Sequence, residues 1–359
     1  MTRPGQLQDE QHDALAAKVG ELSIQLAAST DHFQKSLETV ATRLSELEAA
    51  SGETVDIDPP APDPVPEPTQ PAVPAVPATP SDVPTPPTAT HTIRVKSGRV
   101  GDIRSKLKNG HVNRVVGPRD AEFWIQGAFN GLRLIVDGPS CRKVVRAPGG
   151  EVWFNHAESR GTSYKGPGSY IDPAPTLGCK RTVHIGGIIK RMRRGNSGPV
   201  EMYGTRLIEL YEDGVAGGGK LRNVLIERLA YPEYVKNEKK EDVHPDILQG
   251  PGVWDVDGLT VRTYRGQNFA LASRWADGTQ IKNVDISGDQ GTGIAMHLEH
   301  KSNGSLSNAY FENIVSDKSF IVRGPGAQWA WQGNNVRFKN CRFSNVYLED
   351  QTLNSEASA

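Results

Sequence analysis

Beyond His91 the chain is a succession of short β-rich runs broken by Gly, Asn and Asp, and the later runs fall into two interleaved series. The first comprises Asn223-Val-Leu-Ile-Glu-Arg, Gly258-Leu-Thr-Val-Arg, Asn283-Val-Asp-Ile, Asn308-Ala-Tyr-Phe and Val336-Arg-Phe-Lys, recurring about every 25 residues after one long insertion. The second runs between them: Leu207-Ile-Glu-Leu-Tyr, His244-Pro-Asp-Ile-Leu-Gln, Asn268-Phe-Ala-Leu-Ala, Ile294-Ala-Met-His-Leu, Phe320-Ile-Val-Arg and Val346-Tyr-Leu-Glu. Similarity that returns after a full turn, with no helical pattern between the runs, describes a coil whose turns stack their strands in parallel. A sandwich would instead show two-residue hairpin turns. The expected class is therefore all-β, a parallel β-helix solenoid over residues 92–350. Leu132-Arg-Leu-Ile-Val, Val144-Val-Arg, Val152-Trp-Phe and Val183-His-Ile supply early turns, and Ile103–Leu107 supplies a helical cap for the exposed first rung.

Two further segments precede the solenoid. Leu15, Val19, Leu22, Leu26, Phe33, Leu37, Val40, Leu44 and Leu47 are spaced by threes and fours, with Ser29 in the remaining slot, which is a heptad seam. Residues 1–50 thus read as a coiled-coil stem that self-associates through residues 15–47 as a dimer or trimer. A single amphipathic helix packed on another domain is the alternative. Residues 51–91 contain DPPAPDPVPEPTQPAVPAVPATPSDVPTPPT, where proline blocks helix and ladder alike and favours extended polyproline II. At about 3.1 Å per residue this spacer can hold the next domain roughly 90 Å from the stem. It is expected to add no packing surface, so that 92–350 folds without it. Residues 351–359 read as a disordered tail. With 36% hydrophobic residues, 25 prolines and 37 glycines, the composition is not that of one uniform globule.

The net charge of −1 averages over an acidic linker (Asp56, Asp58, Asp63, Glu67, Asp82) and a basic stretch over residues 133–194; neither resembles a nucleic-acid tail, so no nucleic-acid partner is expected. Cys141, Cys179 and Cys341 lie far apart and read as buried free thiols. The N-terminus, MTRPGQLQDEQHDALAAK, has no apolar h-region and no apolar run reaches spanning length. Cytoplasmic synthesis without Sec export or membrane insertion is the expectation. No P-loop, HExxH, GxSxG or zinc-ligand spacing occurs, so no cofactor is expected. Asp255, Asp257, Asp285 and Asp289 lie in turn-rich segments and are the acids a calcium ion could use, yet nothing in their spacing gathers them into a loop of ligands.

The rung period, the repeated Asn-Val-x-Ile strands and the His244-Pro-Asp-Ile-Leu-Gln run resemble the pectate-lyase-like superfamily of right-handed parallel β-helices over residues 92–350. Joined to a heptad stem, the layout also looks like the tailspikes and related appendages of tailed phages or phage-derived particles. The resemblance implies a virion or phage-like particle attached through the N-terminus. It also implies a polysaccharide partner, which the solenoid binds as a receptor or capsule or else cleaves as a lyase or glycoside hydrolase.

If Leu210, Ile247, Leu271, Met296 and Val322 point inward, one outer column is Glu209, Asp246, Ala270, Ala295, Ile321. It is flanked by Tyr211, Leu248, Ala272, His297, Arg323 and by Leu207, His244, Asn268, Gly293. Glu209 and Asp246 then lie one rung apart, about 4.8 Å at the backbone, close to the spacing of the two carboxyls in retaining glycosidases. His244 and Asp246 share a face, where the acid would fix the imidazole tautomer for general-base work. Arg323 or Arg274 would neutralise a uronate, with Arg323 roughly 15 Å from His244 along the axis. The catalytic candidates are His244, Asp246 and Glu209. The candidates for sugar contact are Tyr211, Gln249, Asn268, Arg274, His297, Arg323 and Trp275, with Trp254, Trp329 and Trp331 as further stacking platforms. Lys180, Arg181, Lys190, Arg191, Arg193 and Arg194 would grip an acidic glycan. Each feature has a plainer reading: solvated acids, a shaped approach to a strand, core tryptophans and a solvated charge run.

Overall fold

The computed structural model describes residues 82–161, 174–210, 213–229, 246–262, 270–271, 275–287, 294–298, 306–323, 327 and 330–355. The expected stem (1–50), and the linker up to residue 81, lie outside them. The described chain is almost entirely β, its one complete helical element being a 3-10 turn at Arg104–Lys106. Eighteen strands form one curled sheet, and all but its last pairing are parallel. The result is a parallel β-solenoid-like architecture, compatible with a parallel β-helix.

Alternation within the strands builds the core. In Arg133–Asp137, Glu151–Asn155 and Arg181–Ile185 the second and fourth residues face in and the others out. Registered rung upon rung, the fourth positions form an inner column of Ile93, Val115, Val136, Phe154, His184, Met202, Leu221, Val256, Ile281, Phe311 and Phe338. A second stack, starting at Gly98–Asp102, runs beside the first. From Gly219–Glu227 onward one long strand serves both. A third direction holds Val145–Arg146 on Thr176–Leu177, Val215–Ala216 on Leu248–Gln249, and the trio Ala270–Leu271, Ile294–Leu298 and Ser319–Val322.

From the third rung onward the corner between the first two stacks takes a left-handed residue. Gly138, His156, Gly186, Gly204, Asn223, Gly258, Asn283, Asn313 and Asn340 supply it, all with positive φ. The later asparagines also bond along the column. Asn283 Nδ2 donates to Asp257 Oδ1 at 2.7 Å, Asn313 to Asn283 at 3.0 Å and Asn340 to Asn313 at 2.8 Å. Asn223, Gly258 and Asn283 are rung mates, as the sequence period suggests. The equivalent of Asn283 on the next rung is Asn313, however, and Asn308 heads a separate ladder with Asn335.

Both ends of the solenoid are closed. At the first rung Ile103 and Leu107, either side of the 3-10 turn, bury into the core. At the last, Tyr347–Leu353 turns back antiparallel on Val336–Arg342, so strand structure passes the expected boundary at 350. Asn345 seals the neighbouring edge: its Oδ1 accepts the Phe320 amide at 2.8 Å and its Nδ2 donates to the Phe320 carbonyl at 2.9 Å. Asn345→Ala leaves that edge to water and is expected to cost about 1–3 kcal/mol, read as a lowered urea midpoint with faster amide exchange at Phe320.

The end of the linker departs from expectation. Val83 packs on an outer apolar cluster of Val112, Ile135, Trp153, Val183 and Tyr203, so the segment does contribute packing surface.

Candidate functional site

Among the described residues a cleft of about 540 Å³ opens on the outer side of the corner column. Its floor is backbone from Gly138, Gly186, Gly187 and Gly204. Gly138 and Gly187 have no room for a side chain: a Cβ on Gly187 would lie 2.1 Å from the Ala157 carbonyl oxygen, and one on Gly138 2.7 Å from that of Gly117. His156, the one imidazole in a column of Gly and Asn, is exposed here. Tyr203, Arg119, Glu158, Arg206 and Val83 complete the walls.

The charges in the cleft are not equally available. Lys190 Nζ meets Glu158 at 3.0 Å and Arg206 meets Glu227 at 2.8 Å, whereas Arg119 and His156 have no acidic partner among the described residues. Tyr203 Oη donates to Glu201 at 3.0 Å. Burial, and then the Glu201 bond, push the phenol well above its usual pKa, so it stays neutral. Burial favours protonating Glu201 as well, but hydrogen bonds from Arg181 and Tyr203 outweigh it and hold the carboxyl below its usual range. The cleft therefore presents a neutral aromatic wall and one cation, Arg119, with no acidic partner among the described residues, beside the exposed His156 imidazole. That suits binding a polar, partly anionic chain.

A second constellation lies at the corner before the third stack. Arg194, Asp213 and Asp246 occupy successive rungs, since Gly195 N donates to Gly214 O at 2.6 Å and Gly214 N to Asp246 O at 2.8 Å. Arg194 Nε is 2.6 Å from Asp213 Oδ2, and Asp213 Oδ1 accepts the Asp246 amide at 3.1 Å. Both acids are buried, at 0% and 2% exposure. Asp213 was absent from the sequence candidates. The signal is nonetheless present as a triple, Arg194-Gly-Asn-Ser-Gly, Asp213-Gly-Val-Ala-Gly and Asp246-Ile-Leu-Gln-Gly.

The expected pairing of Glu209 with Asp246 does not occur, because the second series slips at its first member. Leu207 belongs to the second stack, on Ile226, while Val215–Ala216 is the rung mate of Leu248–Gln249. Glu209 sits instead in a left-handed turn at φ +56°, its carboxylate held by Arg191 at 3.0 Å and Arg228 at 2.7 Å. Gln249 is half-buried beside Ala216, and Arg323 is half-buried with its amide on the Leu298 carbonyl. His297 is 9% exposed and Trp275 3% exposed. Trp275 packs near Trp254 and Phe311, with ring centroids 6.2 and 6.3 Å away. Trp254, Trp275 and Trp331 are thus core residues, and none is an outer platform. His244, Tyr211, Asn268, Arg274 and Trp329 lie outside the described residues.

The basic run is largely neutralised across rungs: Arg181 by Glu151 and Glu201, Lys190 by Glu158, Arg191 by Glu209, Arg194 by Asp213. Of the acids weighed for calcium, Asp255 meets Arg222, Asp285 meets Arg262 and Asp257 meets Asn283; Asp289 is not described. No cluster of three metal-ligating side chains occurs among the described residues. Comparison with protein-family profiles, with curated proteins and with solved structures finds no match.

Proposed function

We propose that this chain is the polysaccharide-recognising part of an oligomeric surface or particle-borne appendage, its solenoid a right-handed β-helix of the pectate-lyase-like kind. The observation that carries the reading is the outer cleft, where Tyr203, the exposed His156 imidazole and the uncompensated Arg119 line a trough spanning several rungs. Stacked turns rise about 4.8 Å each, so an extended glycan along the axis meets equivalent surface again and again. The heptad stem multiplies such contacts by avidity.

His156 allows a test free of folding artefacts. At φ +49° glycine is the residue of least strain, so His156→Gly removes the imidazole without disturbing the corner. Combined with Arg119→Ala, it is expected to weaken binding of the cognate polysaccharide by about 1–3 kcal/mol at unchanged melting temperature. Glycan-array screening followed by calorimetry measures this, and unchanged affinity sinks the cleft assignment.

A second reading, cleavage by a lyase or glycoside hydrolase, draws on the buried Asp213–Asp246 pair. If the same glycans release reducing ends or unsaturated uronates, and Asp246→Asn lowers turnover by at least about 100-fold while affinity holds, the enzyme reading replaces the binding one.

A further inference from the structure

The segment Asp82–Ala89 reads DVPTPPTA, and its exposure repeats by threes. Asp82, Thr85 and Thr88 are exposed, whereas Val83, Pro84, Pro86, Pro87 and Ala89 are half-buried. A polyproline II helix resting one side on a surface shows that period. Both ends of the segment are fixed. Thr90 exchanges hydrogen bonds with Val112 at the first rungs, its amide donating to the Val112 carbonyl and its hydroxyl accepting the Val112 amide, both at 3.0 Å. At the other end Val83 meets the outer cluster and the cleft, and the Asp82 carboxylate lies 3.8 Å from Arg222 Nε.

Asp82 lies in a 3-10 turn and Val83 in a bend, and the six extended residues Pro84–Ala89 span roughly 19 Å at the polyproline II rise, or about four rung spacings. That matches the climb from the strand His91–Arg94 to Arg181–Ile185, one rung short of Tyr203. The rungs crossed carry Ile135, Trp153 and Val183 on their outer faces. Although alternation directs these three away from the core, they are 3%, 3% and 0% exposed. The segment therefore runs along the solenoid axis, over an aromatic track. Trp153 is held ready beneath it: its Nε1 donates to Glu151 at 2.8 Å and the Arg181 guanidinium lies 4.8 Å from its ring.

We propose that Asp82–Ala89 is a strap covering part of the polysaccharide site, and that strap and sugar chain compete for the track of Ile135, Trp153, Val183 and Tyr203. The inference rests on the polysaccharide reading above. Proline and pyranose rings are both saturated and present C–H bonds to an aromatic face, so a groove that takes one in an extended chain takes the other. Val83 is a wall of the cleft. Lifting it joins the cleft to Trp153 in one continuous trough. The strap is lightly fastened: among the described residues no backbone hydrogen bond ties 82–89 to a strand, and the Asp82–Arg222 pair is long.

The test uses full-length protein carrying Val83→Asp, Pro86→Gly and Pro87→Gly together, with Asp82→Ala as a milder companion in case the triple variant folds poorly. Trp153 oxidation by hydroxyl radicals, read by mass spectrometry, reports the cover. Calorimetry with the polysaccharide bound by the parent reports competition. Loosening the strap raises the open fraction, so the triple variant is expected to oxidise at Trp153 and bind sugar at least about tenfold more readily, and Asp82→Ala about two- to threefold. Saturating polysaccharide should protect Trp153 again. Unchanged oxidation in a folded variant overturns the strap. Increased oxidation without tighter binding overturns the competition while leaving the polysaccharide reading intact. Absence of binding by parent and variants alike defeats the polysaccharide reading, and the competition falls with it.

Discussion

Replacing Phe311 by alanine is expected to cost about 3–5 kcal/mol, and the loss should fall on the C-terminal rungs alone. Phe311 is fully buried and stacks on Phe338 with ring centroids 4.8 Å apart and planes 10° from parallel. Phe338 meets Phe320 at 5.1 Å, and Phe320 meets Phe343 at 5.2 Å. This aromatic pile fills the last turns, whose only onward neighbour among the described residues is the antiparallel strand Tyr347–Leu353. A rung in mid-solenoid is supported from both sides, whereas these are supported mainly from one. Hydrogen exchange should show residues 306–355 opening well before Ile93–Val136, with an early, separate thermal transition. Phe311→Leu, closer in volume, should cost about 1.5 kcal/mol or less. A single cooperative transition shifted as a whole would show that the solenoid does not divide its stability by rung.

The parallel repeat was legible because each turn of the coil from the third onward imposes a requirement the sequence must meet locally, a left-handed corner filled by Gly or Asn. Asn223, Gly258 and Asn283 announce it without ambiguity. At Asn308 the pattern fails for a physical reason. The last rungs carry two asparagine ladders, Asn308–Asn335 and Asn283–Asn313–Asn340, both at φ near +50°, and a motif of Asn followed by apolar residues cannot tell one corner from the other. The slip that separated Glu209 from Asp246 has another origin. Val215–Ala216 is a strand of two residues, too short for alternation to register, while Leu207-Ile-Glu-Leu next to it looks like a full strand. Once Val215 takes its place, Asp213 falls under Asp246 and Glu209 moves to a turn between two arginines.

Faces were harder to read than strands. Trp275 belongs to no strand, so period two says nothing of its direction, and it fills the interior. Trp153 and Val183 do lie on strands that alternate cleanly. Their outward aspect was readable, but the polyproline segment that hides them comes from more than fifty residues earlier in the chain. A proline-rich composition looks the same whether it crosses open water or rests on a sheet. The cations of residues 180–194 pose the same difficulty, because their acidic partners stand a full turn away.

His184 leads to the remaining prediction, that the solenoid loses stability in mild acid through one residue of its core. It is 2% exposed, stacks on Phe154 at 4.6 Å and 7°, and its Nε2 has no hydrogen-bond partner among the described residues. Its neighbours above and below are Met202 and Phe154, so no anion is at hand to stabilise a charged ring. Burial pushes the imidazole down from 6.5 to about 3. The folded state thus keeps His184 neutral where the unfolded chain has already taken up a proton. Stability is unaffected above pH 6.5 and is lost as the pH falls from there toward 3, by about 2 kcal/mol at pH 5 and roughly 4 kcal/mol near pH 3. His184→Leu removes the titrating group from an apolar column that tolerates leucine in volume. Urea melts at pH 7 and pH 5 should therefore show the parent losing about 2 kcal/mol more than the variant across that interval. Equal losses would mean that His184 reaches a proton, and a partner for it, without unfolding.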